Sequence, residues 1–300
     1  MKKPELAYSK ALVILGVLAG FTYALPAAAE TINCINITSI PTTITTQGVY
    51  CLKQNVSGSL ASGAAITVNT NNVTIDCNEY KVGNLAAGPT TNAVGISANT
   101  RLNVQVRNCG VRGFRVGIQL LNGDYRVQDN RVDLNTQTGI YVTGDGSAIR
   151  RNEVVDTGGT PIAGTTQFHG INSAGDVDII DNTVSGVVAT GGSNGTTYGI
   201  RTEDMDSGTI KGNRVRNLVP NGSGSRRGIW NQNGNRNTVE GNTIVMASGL
   251  LGTDAGIRCG DGLILSGGSR DNIVLGAGLI GQLLSFVNCT TIAGDYANPL

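Results

Sequence analysis

Apolar and polar residues alternate in short runs along most of this chain. Segments such as "YRVQDNRVDL", "VDIIDNTVSG" and "GTIKGNRVRN" are rich in β-branched residues, and they read as strands of about three to five residues. No segment after the N-terminal apolar run carries a helical stripe. Two markers punctuate the strands. Gly-Ile recurs at Gly95, Gly117, Gly139, Gly170, Gly199, Gly228 and Gly256, with spacings of 22, 22, 31, 29, 29 and 28 residues. Between these lie Asn108, Asn130, Asn152, Asn182, Asn213 and Asn242, each beside a short apolar run. Two interleaved markers in one order, over more than half the chain, define a repeat architecture.

Strands this short cannot bury a core alone, so each repeat must stack on its neighbours. A coil of about 22 residues with three strands predicts an all-β solenoid with coils about 4.8 Å apart and inward aliphatic residues in one continuous core. The recurring Asn is expected at a bend, in the left-handed conformation that its side chain tolerates, with stacked amides bonding coil to coil. Leucine-rich repeats would need a Leu spacing that is missing, and propeller blades a period of about 40–45 residues. A hexapeptide rhythm, the mark of a left-handed coil, is absent.

The alternation of "xGIx" with "NxV" strands resembles the right-handed parallel β-helix of the pectin-lyase-like superfamily. The segment "ITVNTNNVTIDCNEYKVGN" is similar to the opening coil of its secreted bacterial members. The resemblance spans about residues 35 to 290 and implies a right-handed helix of roughly nine to ten coils. Function does not follow from it, because the superfamily contains lyases, hydrolases, epimerases, adhesins and non-enzymes.

The N-terminus reads differently. Lys2, Lys3 and Lys10 precede the apolar run "ALVILGVLAGFTYAL", and Ala27-x-Ala29 follows, the pattern of a secretory signal over residues 1–29. The expected domain is then a single β-helix over 30–300, with an opening coil and cap at 30–66 and a closing coil and cap at 260–300. Residues 1–29 carry three Lys and Glu5, so the net charge falls from +1 to −1 on their removal. That balance excludes a strong global attraction to nucleic acid or to anionic lipid, and no later run is apolar enough for membrane insertion. All six cysteines follow the signal and are expected to meet an oxidising compartment, periplasmic or extracellular. Proximity suggests Cys34 with Cys51, Cys77 with Cys109, and Cys259 with Cys289, among 15 formal connectivities. Their spacing is not that of a zinc site. The 43 glycines, with abundant Asn and Thr, fit many strands joined by tight turns.

Coil length suggests where a site lies. The later coils gain residues just before Gly-Ile, in "DTGGTPIAGTTQF", "VVATGGSNGTTY", "LVPNGSGSRR" and "MASGLLGTD". Such loops should emerge in register along one edge of the Gly-Ile sheet, either as one wall of a groove or as insertions simply tolerated there, since loop entropy grows slowly with length. Two residues after each Gly, an outward column reads Ser97, Gln119, Tyr141, Asn172, Arg201, Trp230 and Arg258. Trp230 is thus predicted to be exposed between two arginines. Aromatic faces stack on sugars and Arg pairs with carboxylates, so Tyr141, Asn172, Arg201, Trp230 and Arg258 are the candidate ligand residues for an acidic glycan. Mutual stacking of Arg on Trp230 is the structural alternative.

An acidic column, Asp124, Asp145, Asp176 and Asp206 with Asn235 and Asp261, raises the possibility of Ca²⁺. The contexts "NGDY", "GDGS", "AGDV" and "MDSG" favour turn caps instead, so no metal or other cofactor is expected. Catalytic candidates are His169, the sole histidine, with Glu203 and Asp206 one coil on. Polygalacturonase-like enzymes pair aspartates and carry His-Gly and Arg-x-Lys motifs. Only His169-Gly170 matches here, and the Asp-Pro-His-Asp pattern of uronan epimerases is missing. The slot of His169 is elsewhere Val94, Val116, Thr138, Tyr198, Arg227 and Ala255, which makes it a repeat position first. Three readings follow: glycan binding, polysaccharide cleavage, or a structural or adhesive solenoid. The sequence carries no signal of oligomeric state.

Overall fold

The computed structural model describes residues 33–234, 237–246, 254–260, 268–276, 285–291 and 294–299. The expected signal segment, Asn235, Asp261 and part of the closing coil lie outside these residues. The described chain winds as a parallel β-solenoid with three faces, in sheets of eleven, ten and ten strands. One coil shows the plan. Val116–Leu121 lies in the Gly-Ile sheet, Tyr125–Gln128 in the second and Arg131–Asp133 in the third, before Thr138–Thr143 returns to the first. There Ile118 pairs with Ile140 in parallel register. The Gly-Ile isoleucines Ile96, Ile118, Ile140, Ile171, Ile200, Ile229 and Ile257 are all fully buried, each burial stabilising by roughly 1.5–3 kcal/mol.

Glycine precedes each of these isoleucines for a steric reason. A Cβ on Gly199 would meet Val215 Cγ1 and the carbonyl oxygen of Gly228, and one on Gly170 would meet Val184 Cγ1 and the carbonyl of Gly199. Those valines are fully buried core residues, so the missing side chain would point inward. Gly and Ile are therefore consecutive inward positions, and strict alternation fails at this point in every coil.

The Asn marker builds a ladder. Asn130, Asn152, Asn182, Asn213, Asn242 and Asn272 are at most 2% exposed. Each of the first five donates its backbone N–H and its Nδ2 to the Oδ1 of the next asparagine, at 2.9–3.1 Å for the first pair and at 2.9 Å for the last. Each Nδ2 also reaches a main-chain carbonyl of the preceding coil, as Asn213 does with Ile179 at 2.8 Å. Asp295 ends the series, accepting from the N–H and Nδ2 of Asn272 at 2.9 and 3.0 Å. The expected left-handed asparagine is corrected here. The positive φ belongs to the residue before each ladder amide, Asp129, Arg151, Asp181 and Asp271 among them. Asn108 is one of these bend residues (φ 51). Cys109 takes the ladder slot beside it and donates its N–H to Asn130 Oδ1.

The three disulfides join Cys34 to Cys51, Cys77 to Cys109, and Cys259 to Cys289, the pairs that proximity suggested. The extra residues of the later coils stack as the coil lengths implied. Thr196 N–H donates to the Thr166 carbonyl and Asn221 N–H to that of Gly195, while Gly192 N–H reaches Asn221 Oδ1 at 2.8 Å. Most of the fourth such loop lies outside the described residues. Among those residues no helix is long and apolar enough to cross a membrane.

Candidate functional site

Because Gly and Ile both face inward, the residue before each Gly and the residue two after it both face outward. The outer face of the Gly-Ile sheet therefore carries two columns. One is the sequence-derived column, whose register holds from Ser97 through Gln119, Tyr141, Asn172, Arg201 and Trp230 to Arg258. The other runs beside it through Val94, Val116, Thr138, His169, Tyr198 and Arg227. Beyond His169 the sequence reading gave this second column no role, and in the structure it lines the cleft beside the first. Its signal was the recurring glycine, which already filled the inward place next to Ile.

An open cleft of about 380 Å³ lies on this face. Its floor includes Gln119, Thr138, Tyr141, His169 and Asn172; Arg115 and Arg201 lie among its lining, with Glu203 beside Arg201. The first long loop, residues 162–167, continues the concavity over Arg115, Gln137 and His169. Arg115 is held in place by Gln137 Oε1 at 2.6 Å and Asn92 Oδ1 at 2.7 Å. Arg201 pairs with Glu203 and donates to Gln232 Oε1 at 2.7 Å. Two buried atoms on the floor, His169 Nε2 and Asn172 Oδ1, have no hydrogen-bond partner in the protein. A buried polar atom without a partner costs about 1–3 kcal/mol.

Trp230 departs from expectation. It is 9% exposed rather than open to solvent. Arg227, from the second column, lies over its ring at 4.4 Å, and Arg201 and Arg258 follow at 5.3 and 5.5 Å. Tyr198 stacks on Trp230 at 5.3 Å and on His169 at 4.9 Å. The indole is thus held in a cation–π and aromatic stack, and Arg258 turns its Nε to the Gly260 carbonyl. Of the five candidate ligand residues, Tyr141, Asn172 and Arg201 line the cleft, whereas Trp230 and Arg258 lie in the stack beyond it.

The catalytic candidates divide in the same way. His169 and Glu203 line one cleft, and Asp206 does not. Asp206 sits exposed in a turn, its N–H on Asp176 Oδ1 at 2.7 Å. Asp145 likewise accepts the N–H of Asp176, so these members of the acidic column cap the turn of the next coil. Burial, and then the charge of Arg201, lower the His169 pKa from 6.5 to about 3. The ring is neutral at pH 7, a hydrogen-bonding group with little capacity as a base. Burial chiefly, then Glu203, raises the Tyr141 phenol above its ordinary value.

A stability consequence follows for His169. Below pH 6.5 the unfolded chain protonates this histidine and the folded protein does not, so stability falls with acidification. The contribution is roughly 2–3 kcal/mol between pH 6.5 and 4.5, at about 1.4 kcal/mol per unit for one proton. Chemical denaturation across that range should show a shallower decline for His169→Gln than for the native protein. Parallel curves for the two would contradict a buried neutral ring.

A family model described as right handed beta helix region matches residues 95–277. The crystal structure of Dettilon tailspike protein (gp208) is a similar solved structure, at 15% identity with a TM-score of 0.43. The alignment covers 79% of this chain and 60% of the tailspike chain. No curated protein matches the chain.

Proposed function

This chain belongs to the right-handed beta helix family, and we propose that it binds an acidic polysaccharide in the cleft on the outer face of its Gly-Ile sheet. The observation that carries the proposal is the floor of that cleft. His169, Asn172 and Tyr141 line it together with Arg115 and Arg201. Sugar hydroxyls can donate to and accept from such groups, and a uronate carboxylate can pair with either arginine. Tyr141 presents a half-buried aromatic ring among them. Binding is favoured over cleavage because the histidine is held neutral and Glu203 is tied to Arg201. Export from the cytoplasm belongs to the same proposal and is supported by the three disulfides.

Titration calorimetry with polygalacturonate, alginate and neutral dextran tests the reading. The two uronans are expected to bind and dextran not to, with affinity falling as salt rises. Arg115→Gln should weaken uronan binding about tenfold, equivalent to roughly 1.4 kcal/mol. Equal affinity for dextran would overturn the acidic assignment. Unsaturated products or new reducing ends during the titration would replace binding by cleavage.

A further inference from the structure

The two outward columns change character along the solenoid. On the N-terminal side the second column of the cleft holds the slender Val94, Val116 and Thr138, beside Gln119 and Tyr141 of the first. From the coil of His169 onward the second column carries His169, Tyr198 and Arg227, which stack with Trp230 of the first. Tyr198 is 4% exposed although it belongs to an outward column, because His169 and Trp230 lie against it and Arg201 lies over it. The long loops also begin at this coil, since residues 162–167 precede His169 while the preceding coil closes without one. The aromatic stack and the long loops therefore begin at one coil.

The lining of the cleft ends at Arg201 and Glu203. It runs along the solenoid axis from the coil of Val94 to that of Arg201, four steps or roughly 19 Å at about 4.8 Å per coil. Arg201 and Glu203 stand at that end, beside the Tyr198–Trp230 stack. Past this end the next coil presents Trp230 covered by Arg227. We infer that the site holds the end of an acidic glycan chain, with Arg201 facing the terminal sugar, and not an internal stretch of polymer. This inference rests on the acidic-glycan reading given above.

The test compares uronans of different length and with different ends, using the full native protein. Short oligogalacturonates and long polygalacturonate are titrated, with concentrations expressed per chain. One protein per chain at both lengths is the expected result. Two blocked oligogalacturonates are titrated beside them, one with a bulky amine coupled at its reducing end and one with its non-reducing end capped. One of these blocks is expected to weaken binding at least tenfold, and Arg201→Gln is expected to weaken binding of the unblocked oligomer by a similar factor. Several proteins per long chain, with affinity unaffected by either block, would show internal binding and overturn the inference while leaving the acidic-glycan reading standing. Failure of every oligomer and polymer to bind would remove both. The end-block comparison needs no variant, so it stands even if Arg201→Gln proves unstable.

Discussion

Asn213→Asp is expected to destabilise the protein by about 5 kcal/mol at pH 7, a large share of the total for a domain of ordinary stability. Asn213 is 1% exposed. Its Nδ2 donates to the Ile179 carbonyl at 2.8 Å and to Asn242 Oδ1 at 3.0 Å, and its Oδ1 accepts from Asn182. Aspartate keeps the acceptor and removes the donor, so an oxygen is left facing two other oxygens. Asn213→Ala should cost less, about 3 kcal/mol, because it leaves unpaired groups without adding a buried charge. The two variants should also differ in pH dependence. The buried carboxyl has no cation to pair with, so its folded pKa lies above the unfolded value near 3.9. Stability of Asn213→Asp therefore falls as pH rises above about 4, and that of Asn213→Ala does not follow it. Denaturant midpoints at pH 4 and pH 7 make the comparison. A variant as stable as the native protein at both would mean that the ladder contributes little.

Gly199→Ala is expected to cost about 3 kcal/mol, whereas Gly191→Ala should change stability by less than about 0.5 kcal/mol. At Gly199 the new methyl group would meet Val215 Cγ1 and a main-chain oxygen, and only the first of these can move. At Gly191, on a long loop, nothing lies within 4 Å of the added carbon. Thermal melting of both variants reads the contrast directly. Adding Val215→Ala to Gly199→Ala should give a total below the sum of the two single effects, since the cavity accommodates the methyl group. Strict additivity would mean that the clash lies with the backbone alone.

The repeat made much of the fold legible. Marker spacing places the coils, the column two after Gly keeps its register from Ser97 to Arg258, and the cysteines pair as their positions suggested. What escaped was orientation at one residue per coil. Alternation assumes that neighbouring residues face opposite ways, and a glycine packed against a core valine breaks that assumption. Arg227 thereby moves onto the face of Trp230, and an indole expected in solvent is covered. Asn108 escaped for a related reason. Asparagine suits both a left-handed bend and a ladder amide, and the sequence does not say which of two adjacent slots it fills. The neutral state of His169 needed burial and the nearby Arg201, neither of which the sequence displays.

The ladder of amides has a direction. Along the ladder every asparagine passes its backbone proton and one amide proton toward the C-terminus, and its Oδ1 receives from the coil before it. Such a chain has a grammar with distinct first and last words. Cys109 opens it with a backbone proton alone, and Asp295 closes it with oxygens that receive and have nothing to hand on. Inner coils can be duplicated or deleted without breaking the syntax, because each offers what its neighbour lacks, but none can be reversed. The carboxylate is a full stop: a further coil stacked beyond it, from this chain or from a second copy, would find no amide reaching out to meet it.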